Sequence, residues 1–505
     1  MTTSAGSGAR GCAVAMRCPD CRGDLEFEPA GGQELPGGRF GVLTCGCASY
    51  PVLDDIPVIR RGRVDVHDHM TGRSEVRGPR IEDLTAMVRA GRGVDALIEL
   101  LAFPPPVPWR LGSRPGWRLP FTRGPWPRAM LAARRGEVAA MLSEVDALTA
   151  QDWMELCYAR SSEQTSPEIL PYFFKRYGQP RYLASLSLLR VLPHDPRPVL
   201  DLACGFGHLL YHLQARQRPV HAVGVDRNFF QVWVGRRYVA PGQTFICADR
   251  PDALPFADET FAAAMCTDAF HLFERQQTCL DEMRRCAYHH TVVLDRVGNA
   301  RLEPHDTDAE REPAGYVELL RGAPCRIVSE DELIAGYLTG RGPQLAAPRD
   351  PAGLDDSKWI SIVSSSNETL FADDPGFVTD RAGEPTATAL PHAAGALRIN
   401  PIYQVEPDDS GVHLRFAYPS TWYAFENSLM SSFTSAGERL DRATFDLIAE
   451  GHASGPQLDL YLRRFVVLGM PPRYARRPGT PPRTTLTAGL LNGVLHRVRS
   501  RSWGR

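Results

Sequence analysis

The apolar and polar positions form their most regular pattern after residue 166. Short apolar runs alternate there with segments of helical periodicity. The runs predict strands at 198–202, 221–225, 243–247, 261–266 and 291–295. A strand followed by a helix, repeated several times, is typical of an α/β fold whose parallel sheet is covered on both faces. The run KWISIVSS, which begins at Lys358, predicts one further strand that closes this sheet.

The residues before this region predict a hairpin and then helices. A glycine-rich stretch between two cysteine pairs predicts the hairpin, and apolar periodicity predicts helices over 81–89, 94–101 and 128–148. A Pro- and Trp-rich loop between the second and third helices carries Trp109, Trp117 and Trp126. We interpret it as a structural connection, with a lid that excludes water as the alternative.

The C-terminal residues predict an α+β region. IYQV and VHLRF flank EPDDSG and predict a hairpin, and a helix is predicted near 441–450. The apolar segment LYLRRFVVLGM follows, and the chain ends in an arginine-rich tail from Arg473. None of these segments carries a motif that points to a reaction.

Charge and hydropathy narrow the class of protein. The 505 residues carry a formal net charge of −2, which gives no overall attraction to nucleic acid or to a membrane surface. The first residues lack the apolar run of a signal peptide, and no stretch approaches the length of a membrane-spanning helix. We therefore expect a cytoplasmic protein without membrane contact.

Four of the twelve cysteines crowd into one short segment. Cys18 and Cys21 form a CPDC turn, and Cys45 and Cys47 form CGC. Four thiolates suit one tetrahedral zinc ion with a structural role, because such a site has no open coordination position. The CxC spacing is less usual, so Cys12 and His67 are alternatives to Cys47 as the fourth ligand.

A glycine-rich turn follows the first predicted strand in the sequence VLDLACGFGHL. Gly205 and Gly207 allow the backbone to approach a ligand closely. Asp201 at the end of the strand would repel the pyrophosphate of a dinucleotide but would attract the ammonium and sulfonium groups of S-adenosylmethionine. The third glycine expected in such a turn is replaced by Leu210.

The next three strands also end in polar residues. Asp226 follows the second strand, where a carboxylate accepts from both ribose hydroxyls, and Asp249 follows the third, where it can accept from the adenine amino group. Asp268 and His271 follow the fourth strand. The carboxyl ends of parallel strands share one edge of the sheet, so these residues predict one cofactor site.

The segments VLDLACGFGHL, VGVDRNF, CADRPDALPF and MCTDAFHLF together resemble the class I S-adenosylmethionine-dependent methyltransferases. The resemblance covers about residues 171–297. It implies a Rossmann-like sheet and assigns Asp201, Gly205 and Gly207 to the methionine end of the cofactor, Asp226 to the ribose and Asp249 to the adenine. The cofactor contacts that it implies also include Ala203, Cys204, Arg227, Arg250 and Asp268.

The cysteine segment resembles the zinc ribbons that are fused to methyltransferases or activate them, through CPDCRGDLEF and CGCASYPVLDDIPVI. It departs from their pattern at CxC and at DDIP, where Asp-Gly is usual. We thus predict four parts: a zinc ribbon (1–63), a helical segment (64–165), a methyltransferase domain (166–366) and a C-terminal accessory region (367–505).

The transfer step itself needs alignment of the acceptor and, for many acceptors, removal of a proton. His271 is the candidate general base and Asp268 a second candidate catalytic residue, while packing beside the cofactor is the alternative for His271. Tyr172 and Tyr182 are weaker candidates for contacts with the sulfonium. The fourth strand lacks the Asn-Pro-Pro-Tyr or Asp-Pro-Pro-Tyr sequence common in enzymes that methylate amino groups of nucleic acids and glutamine.

These features predict a methyltransferase for a small-molecule acceptor, in bacterial secondary metabolism. An RNA methyltransferase is the alternative, because zinc ribbons precede this fold in ribosomal-RNA enzymes and the C-terminal tail is basic. A cofactor-binding scaffold without methyl transfer is a third interpretation. We leave a homodimer open.

Overall fold

The fold is described from a computed structural model. The structure describes residues 14–67, 74–103, 128–159, 169–216, 218–303, 307–374, 376, 390–409, 411–452 and 456–481. Within those ranges, none of the helices combines the length and the apolar character needed to cross a membrane. The Pro- and Trp-rich loop, with Trp109, Trp117 and Trp126, lies outside the described residues, as does the end of the basic tail.

The N-terminal segment is a four-stranded antiparallel ribbon. Its strands are β1 (Glu26–Pro29), β2 (Gly41–Thr44), β3 (Ser49–Leu53) and β4 (Ile56–Ile59). The predicted hairpin between the cysteine pairs is confirmed as β1 and β2. Strands β3 and β4 join through Asp54 and Asp55, which both have positive φ (54° and 62°), as a tight hairpin turn requires.

The unusual DDIP sequence has a physical explanation in this turn. Asp54 is fully buried, and its carboxylate accepts from the indole of Trp233 (2.8 Å) and from the guanidinium of Arg237 (2.6 Å). Glycine would satisfy the backbone geometry but could not bind these two donors. The turn therefore anchors the ribbon to the α/β region as well as reversing the chain.

Two further strands and four helices cover the ribbon and its neighbours. They are β5 (Arg63–His67), β6 (Ser74–Arg80), α1 (Ile81–Arg89), α2 (Gly93–Leu101), α3 (Arg128–Ser143) and α4 (Ala150–Met154). The three predicted helices are confirmed, except that the third ends at Ser143 and not at Leu148. Helix α3 ends early because the chain must turn before Thr149, which caps the next helix, α4, through a capping box with Asp152.

The α/β region begins with two helices and continues as the predicted alternation. Its elements are α5 (Ile169–Phe174), α6 (Pro180–Leu188), β7 (Val199–Leu202), α7 (His208–Ala215), β8 (Ala222–Asp226), α8 (Phe229–Val234), β9 (Thr244–Ala248), β10 (Ala263–Thr267), α9 (Gln276–Cys286), β11 (Val292–Gly298), α10 (Pro313–Glu318), β12 (Cys325–Ser329), α11 (Glu330–Leu338) and β13 (Trp359–Ser364). All six predicted strands are confirmed. Strand β12 was not predicted from the sequence, and it forms the edge of the sheet beyond β13, so the prediction that the strand from Lys358 closes the sheet is wrong.

The ribbon and the α/β region share one mixed sheet of eleven strands in the order β1-β2-β3-β4-β9-β8-β7-β10-β11-β13-β12. Strands β9, β8, β7, β10 and β11 are parallel, and β13 runs antiparallel between β11 and β12. Strand β4 pairs in parallel with β9, with Ile59 opposite Ala248. The α/β fold with a parallel core is thus confirmed, and the ribbon extends it at one edge.

The C-terminal region forms smaller sheets and short helices. Its elements are β14 (Ala396–Ile399), β15 (Tyr403–Asp408), β16 (Gly411–Phe416), α12 (Thr421–Glu426), α13 (Met430–Phe433), β17 (Gly437–Leu440), α14 (Arg442–Glu450), α15 (Pro456–Arg463) and β18 (Val467–Met470). The predicted hairpin is β15 and β16, and the predicted helix is α14, which is capped by the Asp441 side chain. The apolar segment supplies α15 and β18. The predicted division into four parts stays a prediction.

Candidate functional site

The four predicted zinc ligands lie together at the tip of the ribbon. Their sulfur atoms are all within 4.8 Å of one another, and Cys18 to Cys47, Cys45 to Cys47 and Cys21 to Cys45 measure 3.6, 3.6 and 3.7 Å. Zn–S bonds of about 2.3 Å in a tetrahedron place sulfur atoms about 3.8 Å apart. The cluster therefore fits zinc. Of the alternative ligands, Cys12 and the side chain of His67 lie outside what the structure describes.

The charges of the thiols also suit a divalent cation. Burial opposes ionisation of Cys18, but the backbone at Cys21 and the hydroxyl of Tyr50 lower its pKa to about 6. Hydrogen bonds with Cys21, Cys18 and Cys45 raise the pKa of Cys47 to about 12. Four thiols this close cannot all ionise without a cation, and a zinc ion supplies the missing positive charge.

The glycine turn follows β7 and begins α7. Gly205 and Gly207 have φ of 54° and 72°, and Ala203 also has positive φ (63°). A Cβ on Gly205 would meet only the Gln231 side chain, at 3.7 Å, whereas a Cβ on Gly207 would lie 2.6 Å from the ring of Phe245. Gly205 thus leaves room for a ligand, and Gly207 is required for packing.

The substitution of Leu210 for a third glycine is compensated on the neighbouring strand. Leu210 is fully buried, and a Cβ on Gly224 of β8 would lie 2.9 Å from its Cδ2 and 2.7 Å from Sγ of Cys204. The small residue that lets helix and sheet approach each other is therefore in the strand and not in the helix. Cys204 is partly exposed beside the turn.

Asp226 at the end of β8 is joined to the glycine turn. Its carboxylate accepts from the backbone N–H of Gly205 (2.9 Å) and from that of Asn228 (2.8 Å). The side chain is half-buried, so part of it remains open to a ligand. Arg227, which follows it, is exposed, and its carbonyl oxygen lies 3.5 Å from the guanidinium of Arg60.

Asp201 in β7 is only 2% exposed, and its carboxylate forms no ion pair with another described residue. Burial, reinforced by the nearby carboxylates of Asp226 and Asp295, raises its pKa to about 8. A cation bound against Asp201 would relieve this cost. The ammonium group of S-adenosylmethionine is such a cation, so this side chain fits the predicted cofactor.

Asp249, after β9, is held by a residue of the ribbon. The guanidinium of Arg60 lies 3.2 Å from its carboxylate, and the Arg60 side chain is only 5% exposed. Next to this pair, Arg250 binds Asp20 of the CPDC turn at 2.7 Å. Strand pairing between β4 and β9 places these residues side by side, and sequence reasoning missed Arg60 because it lies far from Asp249 along the chain.

Asp268, after β10, is the centre of a buried charge cluster. Arg296, Arg176 and Arg181 surround its carboxylate, the latter two at 3.2 and 3.7 Å, and the hydroxyl of Tyr172 donates to it at 2.7 Å. Burial alone would raise its pKa, but the three guanidinium groups hold that pKa well below its usual range. Asp268 is therefore ionised at neutral pH.

His271 lies one turn further on and is 1% exposed. Its ring centroid is 5.5 Å from that of Trp359. The Cζ atom of Arg296 lies 3.6 Å from the centroid of the Trp359 ring, so the guanidinium packs on that ring. Tyr172 donates to Asp268, and its predicted contact with the sulfonium stays a prediction. Tyr182, by contrast, is in the core and donates to the carbonyl of His208.

The C-terminal region covers the same end of the sheet. In α12, Glu426 binds Arg181 at 2.8 Å, Tyr423 accepts from Gln179, and the ring of Trp422 is 6.3 Å from that of Tyr172. No sequence pattern predicted this contact, because the residues come from distant segments without a shared motif.

Residues 199–288, which contain the glycine turn and the four strand ends, match a family model described as a methyltransferase domain. The chain contains a class I S-adenosylmethionine-dependent methyltransferase domain. Over 92 residues, the chain is 32% identical to the fatty-acid O-methyltransferase of Mycolicibacterium smegmatis, and the match covers 18% of this chain and 33% of that relative. The chain thus matches about one third of the length of this curated relative.

Solved structures similar to part of the chain include two bacterial proteins. One is an S-adenosylmethionine-dependent methyltransferase from Aquifex aeolicus, with 14% identity, a TM-score of 0.29, and coverage of 39% of this chain and 97% of the other. The second is a TehB-like methyltransferase from Corynebacterium glutamicum, with 12% identity, a TM-score of 0.25, and coverage of 36% and 86%.

Proposed function

We propose that this protein transfers the methyl group of S-adenosylmethionine to a small-molecule acceptor. The observation that carries the proposal is the arrangement of Asp201, Asp226 and Asp249 at the ends of three adjacent parallel strands, around the open face of Gly205. This row offers one carboxylate to each polar part of the cofactor.

Each carboxylate has a separate task. Asp201 binds the ammonium group, Asp226 accepts from the ribose hydroxyls, and Asp249 accepts from the adenine amino group. The sulfonium of the bound cofactor supplies an electrophilic methyl group. The remaining work of the chain is to align an acceptor with that methyl group and to exclude water, which is how effective molarity accelerates such a reaction.

The residues around Asp268, where we propose that the acceptor binds, favour a small-molecule acceptor. The cluster around Asp268 is enclosed by α5, by α6 and by α12 of the C-terminal region, with Tyr172 and Trp422 as its aromatic walls. Side chains from three separate segments that meet over one strand end favour an enclosed pocket over an open groove for a macromolecule.

Oxygen is the acceptor atom that we propose. The relative from Mycolicibacterium smegmatis is named as an O-methyltransferase for fatty acids. A hydroxyl acceptor must lose a proton, and Asp268 is a poor base because the arginines keep its pKa low. His271 is then the base that we propose, whereas a carboxylate acceptor would need none.

The test measures S-adenosylhomocysteine by mass spectrometry after incubation of the full chain with S-adenosylmethionine and separate pools of hydroxylated molecules, carboxylic acids and total RNA. We expect product with one of the small-molecule pools and none with Asp226→Asn. Methylation of RNA alone would overturn the proposal. Binding of the cofactor without product in any pool would favour the scaffold.

A further inference from the structure

The segment that carries Asp249 is held by the zinc ribbon at several points. The backbone N–H of Arg17 donates to the carbonyl of Pro255 at 2.9 Å. The guanidinium of Arg22 reaches the carbonyls of Leu254 and Phe256 at 3.1 and 3.3 Å. Both arginines belong to the turn that contains Cys18 and Cys21, so the cysteine cluster and residues 249–256 form one contiguous structure.

Arg60 makes the contact nearest to the cofactor. It follows β4 and lies beside Asp249 because Ile59 pairs with Ala248. Its guanidinium is 3.2 Å from the Asp249 carboxylate and within 3.5 Å of the carbonyls of Arg227 and Arg63. A buried, planar guanidinium with several acceptors has one orientation, so it fixes the carboxylate that it binds.

The neighbouring residues strengthen this link to the metal site. Asp20 lies between the first two cysteines and is bound by Arg61 and by Arg250, each at 2.7 Å. These pairs are half-exposed and individually weak. The Asp20–Arg250 pair nevertheless adds a connection between the ribbon and the segment 249–256 next to Arg60 and Asp249.

We propose that the zinc ribbon forms the outer wall of the adenine end of the cofactor site, with Arg60 as the residue that positions Asp249. The ribbon is then part of cofactor recognition and not a separate module. Loss of Arg60 removes the guanidinium that orients the Asp249 carboxylate, so the site loses its preference for the adenine amino group. This inference rests on the proposed function, because it takes Asp249 as the partner of adenine.

The experiment compares two ligands by isothermal titration calorimetry on the zinc-loaded full chain. S-adenosylhomocysteine carries the amino group on its base, and S-inosylhomocysteine has a carbonyl oxygen there. We expect wild type to prefer the amino ligand by about tenfold or more, since a hydrogen bond to a charged group is worth that much. Arg60→Met should reduce the preference to about threefold or less, and Arg60→Lys should restore part of it.

Arg39→Met is the matched control, because Arg39 forms an ion pair with Asp55 in the same ribbon, at the other end of β4. It should keep the wild-type preference. Hydrogen exchange followed by mass spectrometry supplies a second measurement: in Arg60→Met, exchange should increase within 249–256 and stay unchanged in the strands of the sheet.

The results separate the two proposals. An unchanged preference in Arg60→Met, or equal weakening of both ligands without faster exchange in 249–256, overturns the role of Arg60. Failure of wild type to bind S-adenosylhomocysteine overturns the proposed function instead, and the exchange measurement then still decides whether Arg60 holds this segment.

Discussion

The indole N–H of Trp233 donates a hydrogen bond of 2.8 Å to the buried carboxylate of Asp54, which joins helix α8 to the ribbon turn. Arg237 binds the same carboxylate with two nitrogen atoms. Asp54→Ala would leave a buried guanidinium without its anion, so we expect the free energy of unfolding to fall by about 3 kcal/mol. Urea unfolding followed by tryptophan fluorescence measures this change.

The control for this prediction is Asp24→Ala, since Asp24 forms an exposed ion pair with Arg17 in the same ribbon. It should change the free energy of unfolding by less than about 1 kcal/mol. Equal effects of the two substitutions would mean that Asp54 does not anchor the ribbon.

The two glycines of the turn should respond differently to alanine. Gly205→Ala adds strain of about 1 kcal/mol at positive φ and fills the space reserved for the cofactor. We expect a large loss of affinity for S-adenosylhomocysteine with a small loss of stability. Gly207→Ala must also displace Phe245, so it should cost a further 1 to 3 kcal/mol, roughly, of unfolding free energy. Calorimetric binding and thermal unfolding of both variants check this contrast.

Asp201 should make cofactor affinity depend on pH. Its pKa of about 8 means that a proton competes with the ammonium group of the ligand below that pH. We expect S-adenosylhomocysteine to bind about tenfold or more weakly at pH 6 than at pH 8. Asp201→Asn should bind weakly with little pH dependence between these values, and a steep dependence retained in that variant would point to another group.

The same group has an opposite effect on the stability of the ligand-free protein. Its native pKa lies above the value of 3.8 expected in the unfolded chain. The stability that it contributes is therefore complete below pH 4, roughly, and is lost as the pH rises to about 8. Asp201→Asn should make the free protein more stable at pH 8, by about 1 to 3 kcal/mol, as measured by urea unfolding.

The sequence alone was sufficient to predict the parallel core and the row of polar residues at the strand ends. Buried parallel strands are continuous apolar runs, and their polar ends share one edge of the sheet. Strand β12 was missed since it is short and its apolar pattern is interrupted by Arg326. The union of the ribbon with the sheet depends on the pairing of β4 with β9, and strands so distant along the chain carry no local signal of their pairing.

The charge cluster at Asp268 escaped prediction for a related reason. Its three arginines come from the lead-in to α6, from α6 itself and from β11, and each is unremarkable in its own segment. Only the fold brings them to one carboxylate. The sequence identified Asp268 as a residue at the site, but its environment, which decides its protonation, required the structure.

Cys47 was the least secure of the predicted zinc ligands, and its position within 3.6 Å of two other sulfur atoms makes a clear test. We expect the purified chain to carry one zinc ion per molecule by mass spectrometry of metals. Cys47→Ser should weaken zinc binding by about a hundredfold, as measured by competition with a chelating dye. Cys325→Ser, which alters a cysteine outside the cluster, is the control and should retain the metal.

Substitutions of His271 distinguish proton transfer by its imidazole from packing of its ring. If it accepts the proton of a hydroxyl acceptor, His271→Ala should lower turnover by about a hundredfold or more and change the affinity for S-adenosylhomocysteine by less than about threefold. Its contact with Trp359 offers the competing role of packing, which a phenylalanine ring would also fulfil. His271→Phe should then remain as inactive as the alanine variant if the imidazole transfers a proton, and it should recover turnover if the ring only packs. Full activity in both variants would remove His271 from the mechanism and would favour a carboxylate acceptor, which reaches the methyl group already ionised.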